Sequence, residues 1–393
     1  MTRKEFIKAC SILGISIPFQ TVIASCSNED DENTPTGFSD SVIIIGAGPA
    51  GMSTAYLFAQ QGIDLKILEA APTYGGRIKH NTAFTDFPIP LGAEWIHVDT
   101  SILSDAVNDP SVNITTQTKG YQGSDTVGYY DGNYATFSLA STFGDHEDKK
   151  FINSSWLDFF ETYIVSSIQS NFIFNTQVTS INYESDKVVV TDSNGQTYEA
   201  AKAIITVPLK ILQSNTITFT PALPESKENT ISKATVWGGI KVFIEFSEKF
   251  YPTYLGFPDS ETSEGQRIYY DASYGQNSNK YILGLFAVGK QAEQYQNLTG
   301  TVQKEYILNE LDAIFDGKAT ASYVQHIVQN WNEEPFIQAA YLADNASSSI
   351  SRNLSTSVDN KLYFAGEAYT QEDDWGGAHN AIRSARDVVE EIL

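Results

Sequence analysis

Residues 41–70 read SVIIIGAGPAGMSTAYLFAQQGIDLKILEA, and this stretch constrains the chain more than any other. An apolar run, Val42 to Ile45, enters a turn with Gly46, Gly48 and Gly51. A helical pattern follows, then a second apolar run ending in Glu69 and Ala70. Strand, glycine turn, helix and strand in this order form the layout of a dinucleotide site. Gly46 permits a tight turn. Gly48 and the neighbouring Ala50 amide let backbone approach a pyrophosphate at the helix N-terminus, and Gly51 lets helix pack on strand. Glu69 follows Gly51 by 18 residues, the distance at which an acid accepts hydrogen bonds from a ribose.

The 393-residue chain is long enough for two domains. Its 25 basic and 48 acidic residues give a net charge of −23, which opposes nucleic-acid binding and mildly attracts cationic small molecules. The two cysteines, Cys10 and Cys26, both lie near the N-terminus, so the body of the chain forms no disulfide or thiolate metal site. The histidines (80, 97, 146, 326 and 379) lack ligand spacing, and no metal is expected.

Arg3, Lys4 and Lys8 precede an apolar stretch, Ala9 to Ser25, broken by Gly14, Pro18 and Gln20. Too short and interrupted to span a membrane well, residues 1–25 read as a targeting segment. Ile23-Ala24-Ser25-Cys26 resembles a bacterial lipobox, which implies cleavage before Cys26 and lipidation of its thiol. Thr2 to Lys8 resembles the twin-arginine export motif with Lys4 in place of the second arginine. Residues 26–39 are acidic and poor in apolar side chains, as expected of a tether. An exported protein anchored to a bacterial membrane, periplasmic or at the cell surface, is the expectation.

Further along, Phe172 to Ile181, Lys187 to Thr191 and Ala203 to Val207 read as strands, with a hairpin turn at 192–195. Residues 237–246 and 280–287 alternate like half-buried strands. Residues 156–170 and 301–315 carry helical spacing, 362–365 is a short buried strand, and 377–393 a final helix. The expected fold is α/β: a Rossmann-like dinucleotide domain assembled from residues 40–96, 172–236 and 353–393. Residues 97–171 and 237–352 form an α+β substrate domain with a mixed sheet.

Gly75-Gly76-Arg77 follows Glu69 by six residues. Two glycines expose amides to a pyrophosphate and Arg77 adds a fixed charge, a clamp that nicotinamide sites rarely need. The combination resembles the FAD-binding pattern of the flavin-dependent amine oxidases, the family of monoamine oxidases, polyamine oxidases and lysine-specific histone demethylases. Leu91-Gly92-Ala93-Glu94-Trp95-Ile96-His97 is similar to the segment after that turn in polyamine oxidases, and Val178 matches a valine whose backbone faces the adenine. Val207 to Leu212, then Ile217 to Pro221, resembles the linker back to the substrate domain. Leu362 to Glu367 resembles the closing cofactor segment, with Gly366 and Glu367 near the ribityl or pyrophosphate. Trp375 to Ala381 resembles the helix entry beside the flavin pyrimidine, with Gly377 and Ala378 at its start.

The resemblance also implies roles for two residues in catalysis. Lys241 matches the family lysine that holds a water at flavin N5; by spacing alone, Lys241 and Glu245 share a strand face that could simply be wet. Tyr341 matches one wall of an aromatic cage. The sequence departs from the family at three places. Ala340 stands where monoamine oxidases attach flavin through cysteine, so FAD is expected to be noncovalent. Gly377 replaces the second cage tyrosine, leaving the cage open unless Trp375 or another aromatic fills it, and Asn380 replaces a usual glycine. The implied activity is oxidation of an amine by hydride transfer to the flavin, followed by imine hydrolysis and reoxidation by oxygen. Flavoenzymes of the carotenoid-desaturase or protoporphyrinogen-oxidase kind share the cofactor segments but act on carbon skeletons. GDP-dissociation inhibitors reuse the fold for binding alone. For an amino-acid substrate, Arg267 is the one candidate partner of the carboxylate between Arg77 and Arg352.

Overall fold

A computed structural model describes residue 38, residues 40–144 and residues 147–393. The expectations for residues 1–25, for Cys26 and for nearly all of the 26–39 tether lie outside the described residues. The elements that carry the site are β1 (Val42–Ile45), α1 (Pro49–Gln60), β2 (Leu65–Leu68), β3 (Phe172–Ile173), β4 (Lys202–Ile205), β5 (Gly239–Phe246), β6 (Gly265–Asp271), β7 (Tyr281–Gly289), β8 (Tyr323–Asn330), β9 (Leu362–Phe364) and α2 (Ala378–Ile392).

The fold is α/β, as the sequence implies. A parallel sheet of order β3-β2-β1-β4-β9 gathers strands from three distant stretches of chain. In β1, Val42 and Ile44 join the core under α1 and α2, while Ile43 and Ile45 join the core on the opposite face. Burial on both faces is why the run is continuously apolar rather than alternating. Pro49 starts α1 at a position where its missing N–H costs nothing.

The segment expected as one strand over 172–181 divides. Phe172–Ile173 edges the parallel sheet, and Val178–Asn182 enters a separate four-stranded sheet. Between them Asn175 adopts φ 55°, a left-handed turn that asparagine tolerates better than most residues. The expected 97–171 unit divides as well. Thr126–Tyr130 and Tyr134–Ser138 extend the larger mixed sheet. Trp156, Phe159, Phe160, Ile164 and Ile168 instead pack into the core with the apolar side chains of α1.

The second, eight-stranded sheet runs β8-β5-β7-β6 and on through Tyr254–Gly256 to the 126–138 hairpin, with Glu261–Thr262 pairing with β6. Every residue of β5 is buried. Ile240, Val242, Ile244 and Phe246 pack against the helix Gly300–Ile314. Alternation therefore turns Lys241, Phe243 and Glu245 to the other face. That face is dry, not wet: Lys241 is 3% exposed and Glu245 4%.

Candidate active site

One cavity of about 1130 Å³ runs from the glycine turn to the inner face of β5. That volume exceeds the usual range for a single small ligand and suits a dinucleotide with a substrate beside it. Its lining includes Gly46, Gly48, Ala50, Glu69, Ala70, Gly76, Arg77, Gly92, Ala93, Glu94, Trp95, Val178, Lys241, Tyr341, Gly366, Glu367, Gly377 and Ala378. Of the glycines singled out from sequence, Gly51 and Gly75 are off the wall. A Cβ on Gly51 would lie 2.0 Å from the Gly46 carbonyl oxygen, so Gly51 serves the close packing of α1 on the turn.

The backbone around the turn is shaped for close approach of a ligand. A Cβ on Gly48 would meet nothing within 4 Å, and one on Gly76 would come within 3.2 Å of the Gly48 Cα. Both α1 and α2 begin on this cavity. Each has a glycine N-cap, no side-chain cap and no acid in its first turn. The orphan amides and positive dipole ends of two helices thus face one space, which favours anionic and electron-rich groups. FAD fits this arrangement: the N-terminus of α1 would suit its diphosphate and that of α2 its flavin carbonyls.

Glu69 does more than the sequence implied. Its carboxylate accepts the Ala47 amide at 2.6 Å and the Ala71 amide at 2.8 Å, stapling the glycine turn to the end of β2. Burial raises its pKa, and these amide bonds oppose the rise. Each oxygen retains a second lone pair for a ribose hydroxyl. Arg77 and Glu367, expected beside the cofactor, also pair with each other at 2.9 Å, and Arg77 donates to the Ala340 carbonyl as well. Gly92 is required by packing: a Cβ there would sit 1.9 Å from the Arg77 carbonyl oxygen.

Glu94 does more than its expected place beside the cofactor implied. On the cavity wall, it is also the buried counter-ion of two lysines. Lys241 Nζ lies 2.7 Å from one oxygen and Lys150 Nζ 2.9 Å from the other; Tyr270 also donates to Glu94. Despite burial, the two ammonium groups hold the Glu94 carboxyl below the usual carboxylate range. Burial pushes the Lys241 pKa down, and Glu94 opposes this. The Lys241 ammonium sits 5.0 Å from the centre of the Trp95 ring, against an aromatic wall that excludes water.

Tyr341 forms one wall of the inner chamber, its ring 6.1 Å from that of Trp237. Trp375 also lines the cavity, its indole N–H donating to the Ala343 carbonyl at 3.1 Å. The space beside Gly377 is taken by a histidine. A Cβ on Gly377 would fall 2.2 Å from the His379 ring. His379 Nε2 donates to Asp374 at 2.7 Å, and His97, on the same cavity, lies 6.2 Å away between ring centres. Burial lowers the His379 pKa, with Asp374 opposing. His379 and Asp374 were not singled out from sequence, because a histidine five residues beyond an aspartate in a loop carries no local signal.

Asp344 was missed too. It lines the cavity, accepts from the Gln266 amide at 2.6 Å, and has no lysine or arginine partner among the described residues. Burial, with Asp374 and Glu367 nearby, raises its pKa to about 7. Arg267 is ruled out as a ready partner for a substrate carboxylate. Its guanidinium is committed to Asp259 at 2.8 Å and Glu310 at 3.1 Å, and it stacks 4.0 Å from the Phe257 ring centre. No group of three or more potential metal ligands occurs among the described residues, and no helix there is long and apolar enough to cross a membrane.

Comparison with known proteins agrees with this geometry. Residues 164–393 match the family model for flavin containing amine oxidoreductase, and residues 44–109 match that for an NAD(P)-binding Rossmann-like domain. Polyamine oxidase 3 of Oryza sativa subsp. japonica is 24% identical over 89% of this chain and 88% of its own. Polyamine oxidase 2 of Arabidopsis thaliana is 32% identical over 52% of this chain and 41% of its own. Among solved structures, a triple mutant of putrescine oxidase superposes with TM-score 0.74, covering 90% of this chain and 98% of that one at 14% identity. With the matched region spanning more than half the sequence and the cavity built to suit FAD, this chain belongs to the flavin-containing amine oxidoreductases and is an FAD-dependent oxidoreductase.

Proposed function

We propose that the enzyme oxidises a small amine carrying a second positive charge, at a noncovalently held FAD. One observation carries this reading: the cavity that begins at the glycine turn ends at Lys241 and Tyr341, with the cation-free carboxyl of Asp344 on the same wall. The relatives named polyamine oxidase and putrescine oxidase support the same substrate class.

FAD is held by the turn around Gly46, Gly48 and Ala50, by Glu69, Ala70, Gly76 and Arg77, by Val178, and by Gly366 and Glu367. Gly377 and Ala378 open α2 toward the flavin end. Ala340 supplies no sulfur, so a thioether is impossible at that position. Bound FAD would supply two-electron chemistry: acceptance of hydride from the carbon beside nitrogen and reoxidation by dioxygen, with the imine hydrolysed by water.

The protein must deliver that amine neutral. An alkylamine of pKa ~10.4 is neutral in only about one part in 10³ at pH 7, a cost of roughly 4–5 kcal/mol. Tyr341, Trp95 and Phe286 line a dry chamber that disfavours the charged form of the reacting nitrogen. Asp344 and Asp374 receive the charge that remains at the other end of the substrate. Lys241 lies beside the reacting carbon, where it orients water.

Anaerobic bleaching of the flavin by monoamines, diamines, polyamines and amino acids tests the proposal. Diamines or polyamines should bleach it at lower concentration than monoamines of equal length. Equal or better bleaching by monoamines would remove the second-charge requirement. Bleaching only by amino acids would overturn the substrate class.

The lipobox-like residues Ile23 to Cys26 support export and lipid anchoring through Cys26 as the setting for this activity.

A further inference from the structure

Glu94 faces two buried lysines that are not equivalent. Lys150 Nζ has three oxygens around it: Glu94 at 2.9 Å, the Ala272 carbonyl at 2.8 Å and the Asp271 carbonyl at 3.3 Å. The two carbonyls take two of its N–H donors, and Glu94 Oε1 is held to it by charge rather than by a hydrogen bond. Lys241 Nζ has Glu94 at 2.7 Å and the Pro90 carbonyl at 3.4 Å, a long contact. At least one of its donors is uncommitted. Lys241 lines the cavity, whereas Lys150 lies behind it. The side chains of Lys150 and Glu94 are each 2% exposed and that of Lys241 4%.

Two cations on one carboxylate in so dry a place leave one charge uncompensated. The lysine that can give up its proton to a substrate is the one on the cavity wall, Lys241. We propose that Lys150 is a positioning residue: by occupying one oxygen of Glu94, it converts Lys241 from half of a closed ion pair into a lysine that exchanges a proton with the cavity. In its neutral form the Lys241 amine takes a proton from the incoming substrate ammonium, directly or through one water. The substrate becomes the neutral amine, Lys241 becomes an ammonium on Glu94, and no electrons move. Lys150 has this role in turnover only if the cavity is the amine-oxidising site proposed above.

The groups facing Lys241 are Glu94 from the loop before Trp95, Lys150 from the strand Lys149–Phe151, Tyr270 from β6 and the Pro90 carbonyl. Tyr121, Tyr254 and Asp148 stand behind Glu94. Burial keeps both of those tyrosines neutral. Lys150 lowers the proton affinity of Lys241 and Glu94 raises it.

Two measurements test the inference. The first is the pH profile of flavin reduction by the best amine. The limb that rises with pH should move up by about one unit in Lys150→Met, a tenfold loss of rate below the limb. It should stay near wild type in Lys150→Arg, which keeps the charge, and move down in Glu94→Gln. The second uses apoprotein and needs no turnover: urea unfolding across pH 7 to 10. A lysine with a depressed folded pKa binds fewer protons folded than unfolded, so the folding constant rises with pH, by up to tenfold per unit. Lys241→Met should remove this slope in the wild-type background and change it far less in the Lys150→Met background.

A limb and an apoprotein slope unchanged by Lys150→Met, with FAD content retained, would overturn the inference. So would a loss of stability and FAD content with no movement of the limb, the mark of a purely structural role. If Lys150→Met does not fold, Glu94→Gln decides the matter: the limb should move down in it while Lys150→Arg leaves the limb in place, and a limb unmoved by Glu94→Gln would overturn the inference. If no amine reduces the flavin, the proposed activity fails while the apoprotein slopes still report the coupling of the two lysines.

Discussion

The imidazole of His379 occupies the space into which a side chain on Gly377 would grow, 2.2 Å from where the Cβ would lie. The inner chamber therefore has Tyr341 on one side and an Asp374-held histidine in place of a second aromatic wall. Gly377→Tyr should destabilise the protein by about 1–3 kcal/mol, because the new ring and His379 compete for one volume. The backbone at Gly377 has φ −99°, so strain there adds nothing. Gly377→Tyr with His379→Ala should recover most of the loss. Thermal unfolding of the single and double variants checks both expectations.

Noncovalent FAD follows from Ala340, and acid precipitation should release yellow flavin into the supernatant. Glu69→Ala should weaken FAD by a few kcal/mol at most. Since Glu69 also holds the Ala47 and Ala71 amides, the apoprotein should lose stability too, by about 1–3 kcal/mol. Titration of apoprotein with FAD and denaturation without it separate the two effects.

Lys241→Met should keep folding and FAD content nearly intact. Glu94 retains Lys150 and Tyr270, and methionine fills similar volume without a charge. Amine oxidation, flavin reoxidation or both should fall. Stopped-flow measurement of the two half-reactions gives the answer. Rates within about twofold of wild type, worth roughly 0.4 kcal/mol, would show that Lys241 is not catalytic.

Asp344 links substrate binding to pH. Its pKa of about 7 means that the carboxylate needed for a second ammonium is present above that pH and is lost below it. KM for a diamine should therefore rise as pH falls through 7, more steeply than for a monoamine of equal length. Asp344→Asn should flatten that difference. A carboxyl with a raised folded pKa stabilises the fold most at low pH and ceases to do so as pH rises through 7. Asp344→Asn should accordingly make the protein more stable than wild type at pH 8, by about 1 kcal/mol after allowance for solvent screening.

The mature N-terminus should be an acylated Cys26, and mass spectrometry of protein recovered from membranes reads it directly. An intact Met1, or cleavage elsewhere without lipid, would remove the anchor. Each buried acyl CH₂ contributes about 0.8 kcal/mol, so two or more chains hold a protein stably.

The cofactor half of the site was legible in the sequence because its demands are local. A turn that must admit a pyrophosphate needs Gly46 and Gly48 at fixed spacing, and a helix packed on it needs Gly51; these requirements act within a dozen residues and leave a readable pattern. The strand β5 was legible too, yet which face of it is dry was not, because alternation in a fully buried strand is hidden. Only the helix Gly300–Ile314 on one side and Trp95 on the other decide that Lys241 is enclosed. The sequence set Glu94 beside a glycine motif. The fold brings Lys241 to it from 147 residues away, and Lys150 from a third segment, because burying a carboxylate demands cations wherever in the chain they come from. The substrate end has the same character. Asp344, Asp374, His379 and Tyr341 are unremarkable one by one, and their chemistry arises from the walls of a cavity that the tertiary structure alone encloses.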